Sequence, residues 1–221
     1  MATYQLIRSR RKSIALIVQR DGTLVVRAPL RTPQAHIEAV LAEKEEWIRE
    51  KQEHNRKLWN AQAPRTFNGG EEFLFLGKSY RLAIVEGQKQ ALEFREGFYL
   101  RRSAIKLASA TFEKWYREQA RQIFTERVGF FARRHGFRYR SIRISGARTR
   151  WGSCGAKGTL NFSWRLAMAP LEVIDYVVMH ELAHLEEKNH SRKYWARVER
   201  MMPDYKLRRQ WLKKNGESLR L

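Results

Sequence analysis

Three histidines and one glutamate lie between residues 180 and 190, in a pattern that could hold a metal ion. His180 and His184 are four residues apart, so on a helix they lie one turn apart on the same face. Glu181 follows His180 directly and is placed to reach a water on the metal rather than the metal itself. With His190 as a third ligand, the set corresponds to an open, catalytic type of zinc site that holds one Zn²⁺ per chain.

The helix that carries the first two histidines has to end before His190. In a continuing helix, six residues would turn His190 by about 600° and carry it roughly 9 Å along the axis. A turn at Lys188-Asn189 would bring it back, since asparagine tolerates the left-handed backbone conformation. Glu199, further along the chain, is the alternative third ligand.

The chemistry that fits this residue set is hydrolysis of a peptide bond. Zinc activates water and polarises a carbonyl group, and Glu181 would accept the proton from water and pass it to the leaving amine. The surrounding helix is strongly apolar, and burying two histidines and a glutamate in it is costly unless something binds them. The alternative is a partly exposed helix with solvated side chains. Ser153 and Cys154 have no His-Asp partner arranged for nucleophilic catalysis.

The elements before the motif form a β-rich region with one helix, predicted over residues 1–102. The runs 13–18 and 23–28 are separated by Asp21-Gly22, which predicts a hairpin. A helix is expected to begin at Thr32-Pro33 and to continue to about Asn55. Short strands at 72–76, 79–85, 92–94 and 98–100 predict a small antiparallel sheet.

Residues 103–221 are predicted to form the catalytic part. Apolar residues at helical spacing predict a long helix over 109–135, and alternation predicts strands over 138–147 and 160–166. The second strand is a candidate edge for binding an extended peptide, or else an interior strand. A glycine-punctuated loop over 150–158, which includes Trp151-Gly152-Ser153-Cys154, joins the two strands, and the metal helix starts near Leu171.

Three side chains around the metal helix are given structural roles. Asp175 lies five residues before His180, off the ligand face, and is expected to support the helix N-terminus through the helix dipole. Tyr194 and Trp195 are interpreted as core residues of the next helix, for which Ser191 is the expected N-cap.

Three stretches of the chain resemble the YgjP-like family of zinc metallopeptidases. They are Arg150-Trp-Gly-Ser-Cys154, Leu160-Asn-Phe-Ser-Trp-Arg-Leu-Ala-Met-Ala-Pro170, and Ile174-Asp-Tyr-Val-Val-Met-His-Glu-Leu-Ala-His184 with Asn189-His-Ser-Arg-Lys-Tyr-Trp195. The resemblance implies an α+β fold, with a minimal zincin-like core of backing helix, short sheet, metal helix and C-terminal helices. It also implies zinc at His180, His184 and His190, and Glu181 as the catalytic base.

Other families are similar in ligand spacing only. The WLM proteases, which degrade proteins crosslinked to DNA, share the spacing, and so do the metzincins. Metzincins place a glycine three residues after the second histidine, where this chain has Glu187, so the turn is expected to differ. YgjP-like proteins have also been described as UTP pyrophosphatases, which keeps a metal-dependent nucleotide hydrolase as one alternative. A nucleic-acid-binding protein with a structural metal is the other.

The net charge of +21 implies a polyanionic partner, most simply nucleic acid. One segment before the glycine-punctuated loop carries arginines and no acidic residue, and we call it the basic run. Its members are Arg133, Arg134, Arg138, Arg140, Arg143, Arg148 and Arg150. The basic run could guide nucleic acid, or a protein bound to it, toward the zinc; the plainer interpretation is a solvated surface.

The remaining composition points to a cytoplasmic protein, and the hydrolysis chemistry implies a protein or peptide substrate. A single cysteine, Cys154, excludes an internal disulfide and fits a reducing compartment. The N-terminal residues contain no apolar segment of the kind that a secretory signal needs, and no apolar run approaches the ~20 residues of a membrane span. The sequence does not fix the oligomeric state.

Overall fold

The computed structural model describes residues 3–19, 21–60 and 65–221. The chain forms two compact units, Met1–Pro64 and Arg65–Leu221. The fold is α+β, as predicted, with six α-helices and three small sheets among the described residues. No helix in the described part of the chain is both long and apolar enough to cross a membrane.

The first unit contains a three-stranded sheet and two helices. Strands β1 (Tyr4–Ser9), β2 (Ala15–Val18) and β3 (Leu24–Pro29) form a sheet in the order β1-β3-β2. The predicted hairpin is present as the antiparallel pair β2–β3, whereas β1, which the sequence did not predict, pairs parallel to β3. Helices α1 (Gln34–Glu43) and α2 (Glu45–Asn60) replace the single helix predicted there, because the backbone leaves the helical conformation at Lys44.

The second unit begins with a four-stranded sheet. Its strands are β4 (Glu72–Phe75), β5 (Lys78–Val85), β6 (Leu92–Phe94) and β7 (Phe98–Arg101), in the order β4-β5-β7-β6. The prediction of a purely antiparallel sheet was wrong, because β5 and β7 pair in parallel.

The sheet of β4–β7 packs on the helix that follows it. Phe112 of this helix stacks on Phe73 with ring centroids 4.3 Å apart and lies 5.1 Å from the ring of Phe98. These rings belong to the same buried core as the metal helix. The compact units therefore divide at residue 64, whereas the sequence placed the division at residue 102.

Helix α3 (Ala108–His135) forms the back of the second unit, as the sequence predicted. A residue on almost every turn is buried, which gives one apolar stripe along 28 residues. The helix ends at Gly136, whose φ of 74° is in the left-handed region that glycine adopts without strain.

A three-stranded sheet lies between α3 and the metal helix in the chain. Its strands are β8 (Ser141–Ser145), β9 (Gly152–Cys154) and β10 (Thr159–Ser163), in the order β8-β10-β9. Strand β10 is parallel to β8 and antiparallel to β9, so it is the central strand. Of the two interpretations of residues 160–166, the interior strand is confirmed over β10 and the edge for a peptide is not. The glycine-punctuated loop contributes the edge strand β9 instead.

The metal helix α4 (Leu171–Ala183) is held on two sides. At its start, the glycine of the β4–β5 turn, Gly77, lies so close to Pro170 that an added Cβ would be 2.8 Å from Pro170 Cγ. On its flank, Arg127 of α3 donates two hydrogen bonds to Asp175, at 2.6 and 2.7 Å. The expected role of Asp175 at the helix dipole is replaced by this ion pair, which ties α4 to α3.

Two helices close the second unit. They are α5 (Arg192–Met201) and α6 (Tyr205–Asn215). Ser191 accepts a hydrogen bond from the amide of Tyr194 at 3.3 Å, so the predicted N-cap of α5 is confirmed.

Replacing Asp175 by asparagine should destabilise the second unit by about 2–3 kcal/mol. The side chains of Arg127 and Asp175 are only 19% and 14% exposed, so the substitution leaves a poorly solvated guanidinium without its carboxylate. Urea unfolding followed by circular dichroism measures the change. Glu86→Gln is the matched control, because Glu86 pairs with Arg102 at a site that is 71% and 63% exposed, and should change stability by less than about 1 kcal/mol.

Candidate metal centre

Three imidazole rings converge at the end of α4. The Nε2 atom of His190 lies 3.1 Å from Nε2 of His184 and 3.1 Å from Nε2 of His180. Taken together, ligand atoms of the three rings all lie within 4.8 Å of one another. The three histidines singled out in the sequence thus meet at one point.

The turn that returns His190 to the helix contains no left-handed residue. Helix α4 ends at Ala183, and the amide of Glu187 still donates to the carbonyl of Ala183 at 3.0 Å. Among the described non-glycine residues, only Phe67 and Leu76 have positive φ, so Asn189 does not use the conformation expected of it. The turn therefore needs no glycine at residue 187, where metzincins have one.

The same turn orients His184. Its Nδ1 lies 2.9 Å from the carbonyl oxygen of Glu187. An Nδ1–H that donates to this oxygen leaves the lone pair on Nε2, which is the nitrogen that faces the other two histidines. By contrast, Nδ1 of His180 is buried and has no hydrogen-bond partner among the described residues.

The electrostatic environment keeps two of the three rings neutral. Burial lowers the pKa of His180 to about 3, and the nearby His184, His190 and Arg209 add to this effect. The pKa of His190 is also lowered, by burial first and then by His184 and Arg209. Neutral imidazoles present free lone pairs, which is the form that binds a metal.

These residues fit a zinc ion. Zinc–nitrogen bonds of 2.0–2.1 Å in a tetrahedral site separate the ligand atoms by about 3.3 Å, close to the 3.1 Å seen here. Ring nitrogens with free lone pairs repel one another at this distance unless a proton or a cation lies between them. Since burial disfavours protonation of His180, a cation is the better partner.

Glu181 follows His180 in α4 and is buried. Its side chain is only 3% exposed, and burial raises its pKa to about 8, although the positive charge of Arg150 opposes the shift. The carboxylate lies over the edge strand β9, where a Cβ added to Gly152 would be 2.5 Å from Oε1 and 2.7 Å from Cγ of Glu181. The Glu181 side chain therefore packs directly against the backbone of Gly152, where there is no room for a larger residue.

Replacing Gly152 by alanine should lower hydrolytic activity by about 10- to 100-fold while zinc content stays near wild type. The new methyl group would push the carboxylate of Glu181 aside, and a displacement of about 1 Å is enough for such a loss. The comparison is with Gly155→Ala, also in this loop, where an added Cβ meets no atom closer than 3.5 Å. Equal activity of both variants and the wild type would contradict the contact.

Aromatic rings surround the histidines on the side of α5. The ring of Tyr194 stacks on His184 at 4.6 Å, and its hydroxyl donates to the carbonyl oxygen of His180 at 2.9 Å. Trp195 stacks on His190 at 5.5 Å. The sequence interpretation of both residues as core is confirmed, with Tyr194 fully buried and Trp195 packed against the core, but it missed their contacts with the histidines.

The other candidates lie apart from the three histidines. Glu199 forms an ion pair with Lys206 at 3.0 Å instead of joining the cluster. Burial raises the pKa of the Cys154 thiol, so it is not an activated thiolate. Ser153 contacts Asn161 of the neighbouring strand at 3.3 Å.

The basic run is spread over the surface of the second unit. All seven of its arginines are exposed, from Arg133 at the end of α3 to Arg150 beside β9. Among the described residues, none of the seven forms an ion pair with an acidic side chain within 4.0 Å. Only Arg150 is close enough to influence the pKa of Glu181.

The family model described as YgjP-like, metallopeptidase domain, matches residues 12–215. No curated protein and no solved structure matches the chain.

Proposed function

This chain belongs to the YgjP-like metallopeptidase family, and from that premise we propose that it is a zinc-dependent peptidase. His180, His184 and His190 would hold one zinc ion, and Glu181 would act as the general base. The observation that carries the proposal is the convergence of three imidazole nitrogens, together with the burial of Glu181, the residue that directly follows the first of these histidines.

Each residue has a distinct task in peptide hydrolysis. Zinc, when bound, supplies Lewis acidity toward water and the scissile carbonyl. Glu181 takes the proton from water and delivers it to the leaving amine. Its burial suits this task, because a raised pKa makes the carboxylate a stronger base and its acid form available at neutral pH. Tyr194 keeps His184 and the end of α4 in position.

We propose that an extended substrate binds along the edge strand β9. It pairs with β10 on one side only, and Gly152 in this strand touches Glu181. A peptide added to its free edge would pass next to the base. This assigns to β9 the peptide-binding role that was one of the two interpretations of residues 160–166.

The test is hydrolysis of a mixture of unfolded peptides, followed by mass spectrometry. Cleavage that stops with a chelator and returns with added zinc supports a peptidase. A parallel assay measures phosphate release from UTP. Zinc-dependent UTP turnover without peptide cleavage would replace the proposal by the nucleotide hydrolase, and metal binding without any turnover would favour the nucleic-acid-binding alternative.

We also propose that the basic run brings nucleic-acid-associated proteins to the site. Its exposed arginines without acidic partners support a contact with phosphates. Binding to a single-stranded oligonucleotide should then weaken steeply with salt, with a slope of log K against log salt of about −0.7 for each phosphate contacted.

A pair of double variants tests this contact. Arg140→Gln with Arg143→Gln should make the salt slope shallower, whereas Lys89→Gln with Lys106→Gln, an equal loss of charge at exposed sites elsewhere in the second unit, should not. Binding that does not depend on salt, or an equal effect of both double variants, would reject the role of the basic run.

A further inference from the structure

A cavity of about 400 Å³ opens at the C-terminal end of α3. Its volume lies within the range of about 300–1,000 Å³ that small-ligand sites have. Gly129, Ala132 and Gly136 form one side of the cavity, and their spacing of three and four residues places them on one face of the helix. The cavity is therefore open because the last two turns of α3 carry no large side chain on this face.

The glycine in this helix face is not required by the packing of α3. Glycine inside a helix is less favourable than alanine, because it loses more conformational freedom on folding. A Cβ added to Gly129 would contact only Nη1 of Arg133, at 3.3 Å, which is the movable end of a long side chain. What Gly129 provides is the open face of the cavity, and the same contact places the guanidinium of Arg133 beside that face.

Two cations and an aromatic residue line the rest of the cavity. Arg133 and Arg138 are both exposed, and neither forms an ion pair with an acidic side chain in the described part of the chain. Tyr139 is half-buried and lines the same cavity. Free guanidinium groups attract phosphates, and aromatic side chains hold the bases of single strands by stacking. The lining thus combines both kinds of contact that a nucleotide makes.

The cavity adjoins the turn that carries the histidines. A Cβ added to Gly158 would lie 3.9 Å from Cα of Tyr139 and 3.5 Å from Cδ2 of Leu185, so Gly158 separates these two residues. Leu185 directly follows His184. A ligand in the cavity is therefore close to the candidate metal centre without using any of its residues.

We infer that this cavity binds one unpaired nucleotide of a single-stranded nucleic acid, with the base in the cavity and the flanking phosphates on Arg133 and Arg138. The inference rests on the proposed contact between the basic run and nucleic acid, and it specifies the form of nucleic acid that is bound. A base in a duplex is paired and stacked, so it can enter the cavity only after it is flipped out of the helix. A protein attached to the bound strand would be held beside the metal centre.

Fluorescence anisotropy of the full chain with a labelled oligonucleotide tests the inference. The single strand should bind about fivefold or more tighter than a duplex of the same sequence at the same salt concentration, because one stacked base contributes that much. Phosphate contacts alone would favour the duplex, since its charge density is higher. Salt-dependent binding without a preference for the single strand would leave the contact of the basic run in place and overturn the cavity site.

Gly129→Leu fills the cavity without changing the charge of the protein. It should weaken single-strand binding by about fivefold or more, and it should leave the salt slope, duplex binding, zinc content and cleavage of a free peptide unchanged. Ala110→Leu is the matched control, because Ala110 is exposed on the same helix, roughly 28 Å from Gly129 along its axis. A thermal melt shows whether each variant is folded. Unchanged single-strand binding in folded Gly129→Leu, or an equal loss in Ala110→Leu, overturns the inference.

Photocrosslinking gives a direct readout on the unaltered protein. A single strand that carries 5-iodouracil should crosslink to Tyr139 or to another residue between 129 and 139, as identified by mass spectrometry. Crosslinks found only outside these residues would contradict the site. The source of the nucleotide is tested by competition with uridine monophosphate, which should displace the strand only weakly. A mononucleotide that binds as tightly as the strand would overturn the assignment to a nucleic acid.

Discussion

Glu181→Gln is expected to abolish nearly all peptide hydrolysis while the protein keeps its zinc. Loss of a positioned general base costs about 10²- to 10⁴-fold in rate. The substitution is close in shape, and the carboxylate is not one of the three converging ligands, so metal content should not change. The readout is kcat for a cleaved peptide, together with zinc per chain measured by mass spectrometry on the same sample.

The control is Glu199→Gln. Glu199 is the alternative third ligand from the sequence, but it pairs with Lys206 on the surface. The Glu199→Gln protein should therefore keep both its activity and its zinc. An active Glu181→Gln protein would contradict the assignment of Glu181 as the base. Loss of zinc in Glu199→Gln would indicate that Glu199 is a metal ligand.

His190→Ala should remove the metal. It deletes the imidazole whose Nε2 lies 3.1 Å from Nε2 of each of the other two, and the remaining pair at the end of α4 is too few ligands for tight binding. Zinc should fall from about one per chain to below about one tenth after dialysis, and hydrolysis should fall with it. Purification without a histidine tag avoids adding ligands.

His36→Ala serves as the comparison, because His36 is an exposed histidine of the first unit. It should retain wild-type zinc. If the wild type binds no zinc even after reconstitution, the enzyme assignment fails as a whole. The basic surface would then be the main guide to function.

The convergence of the three histidines could be predicted from the sequence because its geometry is mostly local. A four-residue spacing on a helix brings His180 and His184 together whatever else the chain does. The return of His190 needed only a short turn, and its position was predicted correctly although the conformation of Asn189 was not. Long periodic stretches such as α3 were predicted for the same reason.

The residues that complete the site depend on contacts between distant parts of the chain. Gly152 is required because α4 places Glu181 over it, and no local pattern shows this. Asp175 meets Arg127 forty-eight residues away. Tyr194 and Trp195 carry the apolar pattern of a core helix, and only the packing of α5 on α4 brings their rings against the histidines.

The order of the strands in the sheet could not be predicted from the sequence either. Alternation predicted β10 but could not show that β8 and β9 flank it on both sides. Strand β9 is three residues long and rich in small residues, too short for a periodic signal.

If β9 binds an extended peptide as proposed, its short length limits how tightly a substrate is held. A three-residue edge provides only two or three main-chain hydrogen bonds, each worth about 1 kcal/mol, so it holds a free peptide weakly and with little sequence preference. Weak capture is sufficient when a substrate is already tethered nearby, since tethering raises its effective concentration to about the millimolar range. Such an enzyme would select its targets by where they are attached rather than by the sequence that it cuts.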